Sequence, residues 1–280
     1  MSDTRVAVVT GGANGLGLGM AHHLAARGMS VVAADIDADR LTAAVAELSR
    51  SGATVIGIPT DVTKADAVAD LAARVVERFG GIDVVCLNAG VSLRGRAWEL
   101  SVDDWRWIYD VNVFGVVHGI RSFVPSLLTR GSGHVVITAS NSAVTSLPSL
   151  APYVSSKHAV LALAETLQHD LAAVSTSVYV SVVLPSAIRS EMADAVRHRP
   201  ADYGAATVPE EILQASRSFL ERYGEDPGQM ADRVLRQALD DRQFCIFSDQ
   251  IDVAMLDERT AALRDGRLVQ PALHAAREVS

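Results

Sequence analysis

The chain has 280 residues, 49% of them hydrophobic and 21% charged, and its 25 Lys and Arg face 33 Asp and Glu for a formal net charge of −8. That apolar content excludes a disordered chain, and two cysteines exclude a disulfide scaffold. The acidic balance excludes the basic face that a nucleic-acid partner needs, and the length suits one α/β domain, 1–280, with a sizeable core.

In chain order, near-continuous apolar runs predict strands at 5–10, 30–35, 54–58, 82–87, 133–139, 177–184 and 243–247. Helical spacing lies between them. Leu16, Met20 and Leu24 mark a helix over 15–27 that stops at Gly28, and Leu163, Leu167, Leu171 and Val174 mark another. Such alternation argues a doubly wound parallel sheet with helices on both faces. After Pro185, Arg, His, Pro and Gly accumulate to about Gly204, and helical patterns follow at 208–222 and 227–240. An insertion there lies near the strand C-termini where ligands of such sheets bind, so 190–225 is predicted to be a substrate lid. The tail, 251–280, is predicted to be helical to Leu263 and to cap the lid or a neighbouring subunit.

Cys86 and Cys245 fall in strand-like runs and read as buried free thiols of a reducing cytoplasm. No signal peptide is expected, because the first apolar run ends at Thr10, and no stretch is expected to span a membrane. The eight histidines show no ligand spacing, so no metal is expected, and His22-His23 is placed on an exposed helix face.

The first predicted strand runs into Thr10-Gly11-Gly12-Ala13-Asn14-Gly15-Leu16-Gly17, and a helix starts there. Glycines permit a sharp turn and close approach of a pyrophosphate, and the helix N-terminus supplies free N–H groups. Asp35 closes the second strand at the spacing where a carboxylate accepts bonds from an adenosine ribose. It would repel a 2′-phosphate, and neither Asn14 nor Ile36 offers a cation, so NAD is the expected cofactor; Arg40 is the one side chain able to swing towards a phosphate.

Tyr153 and Lys157 lie four apart at the start of a long helix, with Pro152 in its first turn. A nearby ammonium favours the phenolate and is expected to lower the tyrosine pKa from about 10, giving a general base at moderately alkaline pH. Ser140 closes the fifth strand ahead of them.

With these motifs in order the chain resembles the short-chain dehydrogenase/reductase superfamily over almost its whole length, which implies a single Rossmann-type sheet. Asp61-Val62 resembles the family's adenine-contact pair and Asn88-Ala89-Gly90 its strand-four motif; Asn112, Ser140, Tyr153 and Lys157 match the catalytic tetrad. The resemblance implies that Tyr153 takes the substrate proton, Lys157 holds the nicotinamide ribose and Ser140 bonds the substrate oxygen. It implies that Asn112 holds a water, and that Gly11, Asn14, Gly15, Leu16, Gly17, Asp35, Ile36, Asp61, Val62, Asn88, Ala89, Gly90, Tyr153, Lys157, Pro185, Ile188 and Ser190 face the cofactor. A homodimer or homotetramer through the fourth and fifth helices is implied too. Pro185-Ser186 replaces the family's Pro-Gly, which puts the nicotinamide-side loop in question, and Leu87 replaces an Asn.

Ser140, Ser142, Leu147, Pro148, Tyr153, Ser186 and Met192 are predicted to wall a pocket for a small hydrophobic secondary alcohol or ketone. The run from Arg197 to Gly204 resembles bacterial lignin-type Cα-dehydrogenases, which implies aryl carbinols; terpenoid and steroid alcohols are the alternative. Arg197, His198 and Arg199 are read as a solvated run or as a carboxylate-binding patch. Trp98, Trp105, Trp107 and Tyr109 are read as helix packing or a subunit contact, with stacking on an aromatic substrate as the alternative. A non-catalytic NAD-binding regulator on the same fold is the competing class, and a methyltransferase would have no use for Tyr153 with Lys157.

Overall fold

The computed structural model describes residues 4–269 apart from 51, 176 and 249. Seven parallel strands form one sheet in the order β3-β2-β1-β4-β5-β6-β7: β1 Val6–Thr10, β2 Ser30–Asp35, β3 Val55–Pro59, β4 Val84–Leu87, β5 Gly133–Thr138, β6 Val178–Leu184 and β7 Cys245–Phe247. Each starts or ends within two residues of its predicted bounds. Around it lie helices α1 Gly15–Ala26, α2 Ala38–Ser49, α3 Ala65–Phe79, α4 Val102–Tyr109, α5 Gly115–Arg130, α6 Ala151–Val174, α7 Glu210–Tyr223, α8 Pro227–Leu235 and α9 Gln250–Arg264, with short π and 3-10 turns between some of them.

Successive strand residues point to opposite faces, so both faces must find apolar cover. Val6 and Val8 join Phe123, Leu127, Val160 and Leu167 of α5 and α6 on one side. Ala7 and Val9 join Met20, Leu24, Met230 and Leu235 of α1 and α8 on the other. That double burial is why the strands read as unbroken apolar runs. Strand order reverses between β1 and β4, and the crevice at their C-terminal ends is the ligand position of such sheets.

Three expectations change. A π-helical turn, Asp110–Phe114, joins α4 to α5, so Val102–Arg130 is one helix long and apolar enough, by length and composition, to cross a membrane. Its buried residues Trp107, Ile108, Phe123 and Leu127 pack inside the protein, as a core helix does. Cys245, at the β7 edge, is only partly buried, whereas Cys86 is fully buried. The tail helix α9 docks at the β7 edge, where Leu256 packs on the core; 270–280 lie outside the described residues.

Candidate active site

The turn after β1 is shaped by backbone that only glycine enters easily. Gly11 and Gly15 have φ of 63° and 52°, and a Cβ on Gly17 would fall 2.0 Å from the Gly11 carbonyl oxygen. Asn14 is the N-cap of α1, yet its side chain makes no cap hydrogen bond and the first turn holds no acid. The helix N-terminus therefore faces the cleft with its N–H groups uncapped, as anion binding requires. Asp35 accepts Ala13 N at 3.0 Å and Asp37 N at 3.1 Å, one on each oxygen, which fixes the turn and leaves further lone pairs on the carboxylate. Asn88 ties three strand ends together: its amide N–H₂ donates to Thr10 O at 3.1 Å, its backbone N–H to Thr10 Oγ1 at 2.9 Å, and its carbonyl accepts Thr138 Oγ1 at 3.1 Å. Asp61 is held by Thr63, whose Oγ1 donates to it at 2.7 Å. An uncapped helix start, a glycine cradle and a ribose-side carboxylate fit a nicotinamide dinucleotide.

At the other end, Lys157 is 2% exposed, donates to Thr138 O at 3.1 Å, and sits 5.6 Å from the Tyr153 ring centroid. Burial pushes Lys157 down to about 8. Burial also raises Tyr153 above its usual value, against a hydrogen bond from Ser140 that lowers it. The expected depression of the tyrosine is thus reversed in the free protein, because desolvation of the phenolate outweighs its partners. Ser140 is 5% exposed and its Oγ also accepts Ser142 N at 3.1 Å.

Asn112 sits in the π-helical turn and does not reach the cleft surface. Its carbonyl accepts Val91 N at 2.8 Å, and its amide donates to Val91 O and Ser156 Oγ, both at 3.0 Å. The side chain is a strut between the loop after β4 and α6, and its carbonyl keeps a second lone pair beyond the bond from Val91.

One cleft of about 570 Å³ joins the two ends. Every candidate cofactor residue except Gly17 lines it, as do Ser140, Ser142, Leu147, Tyr153, Ser186 and Met192. Gly17 lies behind the turn, against Gly11. Pro148 is exposed and outside the cleft, because the chain reverses at Ser149, φ 59°. Ser186 needs none of glycine's freedom: among the described residues, only Ser149 and Arg242 carry positive φ without being glycine. Its Oγ accepts Asn141 Nδ2 at 3.1 Å, and its N–H donates to Ser248 Oγ at 2.9 Å. Trp107, buried at 2% exposure, lines the cleft, whereas Trp98 is 80% exposed. Arg94 and Phe219 also line the cleft, and nothing in their sequence surroundings singled them out.

The family model for short chain dehydrogenases matches residues 5–201. The chain belongs to the short chain dehydrogenase family. It is 42% identical over 192 residues to the 1-deoxy-11-beta-hydroxypentalenate dehydrogenase of Streptomyces exfoliatus, covering 68% of this chain and 69% of that protein. It is 34% identical over 245 residues to the C alpha-dehydrogenase of a Sphingobium strain, covering 86% and 80%. A short chain dehydrogenase/reductase from Burkholderia phymatum, solved in complex with NAD, superimposes with a TM-score of 0.91 at 36% identity over 96% of this chain and 98% of that one. An alcohol dehydrogenase from Thermococcus sibiricus, complexed with 5-hydroxy-NADP, superimposes at 0.71 with 28% identity over 88% and 96%. Solved relatives therefore hold both kinds of dinucleotide.

The basic run of this dehydrogenase divides: Arg197 and His198 lie partly exposed at the cleft rim beside acids, and Arg199 turns inward. Arg197 pairs with Glu191 at 2.6 Å, and His198 Nε2 lies 3.1 Å from Asp37. Arg40 bridges the same two acids, at 2.5 Å to Glu191 and 3.3 Å to Asp37, so it is committed to carboxylates beside Asp35. Arg199 is buried instead: it pairs with fully buried Asp104 and lies 5.3 Å from the Trp107 ring centroid. Burial works against the Asp104 charge, but hydrogen bonds from Thr207, Arg199 and Ser101 hold its carboxyl below the usual range. Asp104 also closes the capping box of α4 with Ser101, so one carboxylate anchors both that helix and the segment 190–225.

Proposed function

We propose that this dehydrogenase oxidises a small hydrophobic secondary alcohol, or reduces the matching ketone, with NAD and with Tyr153 as the proton-transferring group. The observation that carries the reading is the single cleft connecting the glycine turn and Asp35 to Ser140, Tyr153 and Lys157. NAD is supported by Asp35 and Asp37 at the ribose end, where a 2′-phosphate would meet carboxylates and where Arg40 is already paired. When bound, the nicotinamide accepts the hydride from the carbinol carbon. Tyr153 Oη takes the hydroxyl proton in oxidation and returns it in reduction. Ser140 Oγ hydrogen-bonds the substrate oxygen as it becomes alkoxide-like. Lys157 would hold the nicotinamide ribose and favour the phenolate, and Asn112 positions α6 against the loop after β4.

Leu147, Met192, Trp107 and Phe219 supply an apolar wall for the substrate. The likeness to the C alpha-dehydrogenase supports an aryl carbinol; the likeness to the hydroxypentalenate dehydrogenase supports a terpenoid alcohol as the second reading. Residues 190–225 act as a lid over this wall. Apolar residues exposed along α4 and its continuation, Val102 and Phe114, support a homodimer or homotetramer, and the two free thiols support a reducing compartment.

NADH formation from NAD is measured across aryl carbinols, terpenoid alcohols, steroids and small polyols, with Tyr153→Phe as control. Turnover of one apolar class that disappears in the control supports the reading. NAD binding without turnover of any alcohol would make the protein a regulator on the same fold and overturn it.

A further inference from the structure

We infer that Arg94 is a carboxylate-binding residue of the substrate cavity, and that the alcohol carries an anionic carboxylate as well as its apolar body. The inference rests on the oxidoreductase reading above and deepens it. Arg94 lies in the loop after β4, and its neighbours hold it on both sides. Leu93 is buried, packed with Trp107 and Ile108. Gly95 N–H donates to Ser149 O at 2.9 Å, which ties the loop to the chain just ahead of α6 and Tyr153. A Cβ on Gly95 would lie 2.7 Å from Leu100, so the loop packs closely at this point.

The side chain lines the same cleft as Ser140 and Tyr153, and its guanidinium carbon lies 6.0 Å from the Phe219 ring centroid. Desolvation lowers its pKa. The cleft's two other arginines, Arg40 and Arg197, are both ion-paired. Arg94 has no ion pair or hydrogen bond among the described residues. The carboxylates lining the cleft, Asp35, Asp37, Asp61 and Glu191, are bonded to the partners already described and do not pair with it.

A partly desolvated guanidinium without a counter-charge is costly, and a ligand carboxylate recovers that cost through charge-assisted, bidentate bonds. Phe219 gives the guanidinium an aromatic neighbour at 6.0 Å, and no protein acceptor among the described residues takes its N–H groups. In a chain of net charge −8, a local cation is also what would draw an anion into the cleft.

The test pairs free acids with their methyl esters across the alcohol panel, for example 4-(1-hydroxyethyl)benzoate and its ester, in wild type, Arg94→Gln and Arg94→Lys. NAD affinity and thermal midpoint are measured for each variant to confirm folding. We expect wild type to prefer one acid over its ester by at least ~30-fold in kcat/KM, mainly through KM. Arg94→Gln should lose about 100-fold on that acid and the preference with it, and Arg94→Lys should recover part. Calorimetric binding of the matching keto acid, such as 4-acetylbenzoate, needs no turnover and decides Arg94 even if every alcohol fails as a substrate. No acid favoured over its ester in turnover or binding, or a preference that survives Arg94→Gln, overturns the inference.

Discussion

At the dinucleotide end of the cleft every residue of β1 is buried, and the turn that follows is held by strand ends, Asn88 and Asp35. Across the cleft, neither the turns Met192–His198 and Ala201–Tyr203 nor α7 buries a single residue. The segment 190–225 is tied to the rest of the protein by a buried Arg199–Asp104 pair, by Arg40 on Glu191 at 2.5 Å, by His198 Nε2 3.1 Å from Asp37, and by Ala195, Val196, Tyr203 and Val208, which pack partly buried against Leu93, Trp107 and Ile108. Close packing fixes geometry and gives it up only with the fold, whereas the half-exposed pairs around Glu191 exchange with water at little cost, and the buried Arg199–Asp104 pair is the firm anchor of this end. The first end is preformed for a ligand of fixed shape. The second is pinned at Arg199 and more loosely held around it.

Four perturbations break or sharpen that contrast. The largest effect is expected at the packed end. Gly17→Ala would drive a methyl group into the Gly11 carbonyl, so NAD affinity should fall at least ~100-fold, with about 3 kcal/mol of stability lost. Calorimetry and denaturant melts read both. Asp104→Ala comes next, because it strands the buried Arg199 cation and removes the carboxylate half of the α4 capping box, leaving the Ser101 cap; a loss of about 3–5 kcal/mol is expected, with cleavage by a probing protease concentrated in 190–225.

The third perturbation is acid. Burial, aided by the Arg242 charge, pushes His134 down to about 4 from 6.5, and its Nε2 lies 2.8 Å from Ser181 Oγ in the sheet. Between those values the unfolded chain binds a proton that the folded one refuses. Stability should therefore fall as pH drops from 6.5 towards 4, by on the order of 3 kcal/mol, and His134→Gln should flatten that limb. The smallest effect is salt. The Glu191 pairs are about one-third exposed, so raising ionic strength should increase protease access to 190–225 and raise substrate KM only a few-fold, leaving the thermal midpoint nearly fixed.

The packed end could be read from sequence because its requirements are local. Strands covered on both faces must be apolar throughout, and Gly11 and Gly15 occupy backbone that other residues avoid. Tyr153 and Lys157 declare themselves by helical spacing. The opposite end escaped because its partners are distant. Arg197, His198 and Arg199 are consecutive but divide between two anchors, and Asp104 lies 95 residues before Arg199. Arg94 resembles Arg96 in sequence, yet Arg96 pairs with Glu99 on the surface and Arg94 meets Phe219 of α7 in the cleft. Spacing alone also misjudged Tyr153, because the burial that raises its pKa is set by the whole cleft.

The central claim is that Tyr153 moves the substrate proton in a cleft whose dinucleotide end is built independently of it. The direct test is Tyr153→Phe, comparing NAD affinity by calorimetry with kcat for alcohol oxidation on the substrate the panel selects. The account predicts NAD affinity within about 3-fold of wild type and a kcat lower by about 10³-fold, with the rise of rate with pH abolished. A variant that keeps wild-type turnover and the same pH profile would contradict it.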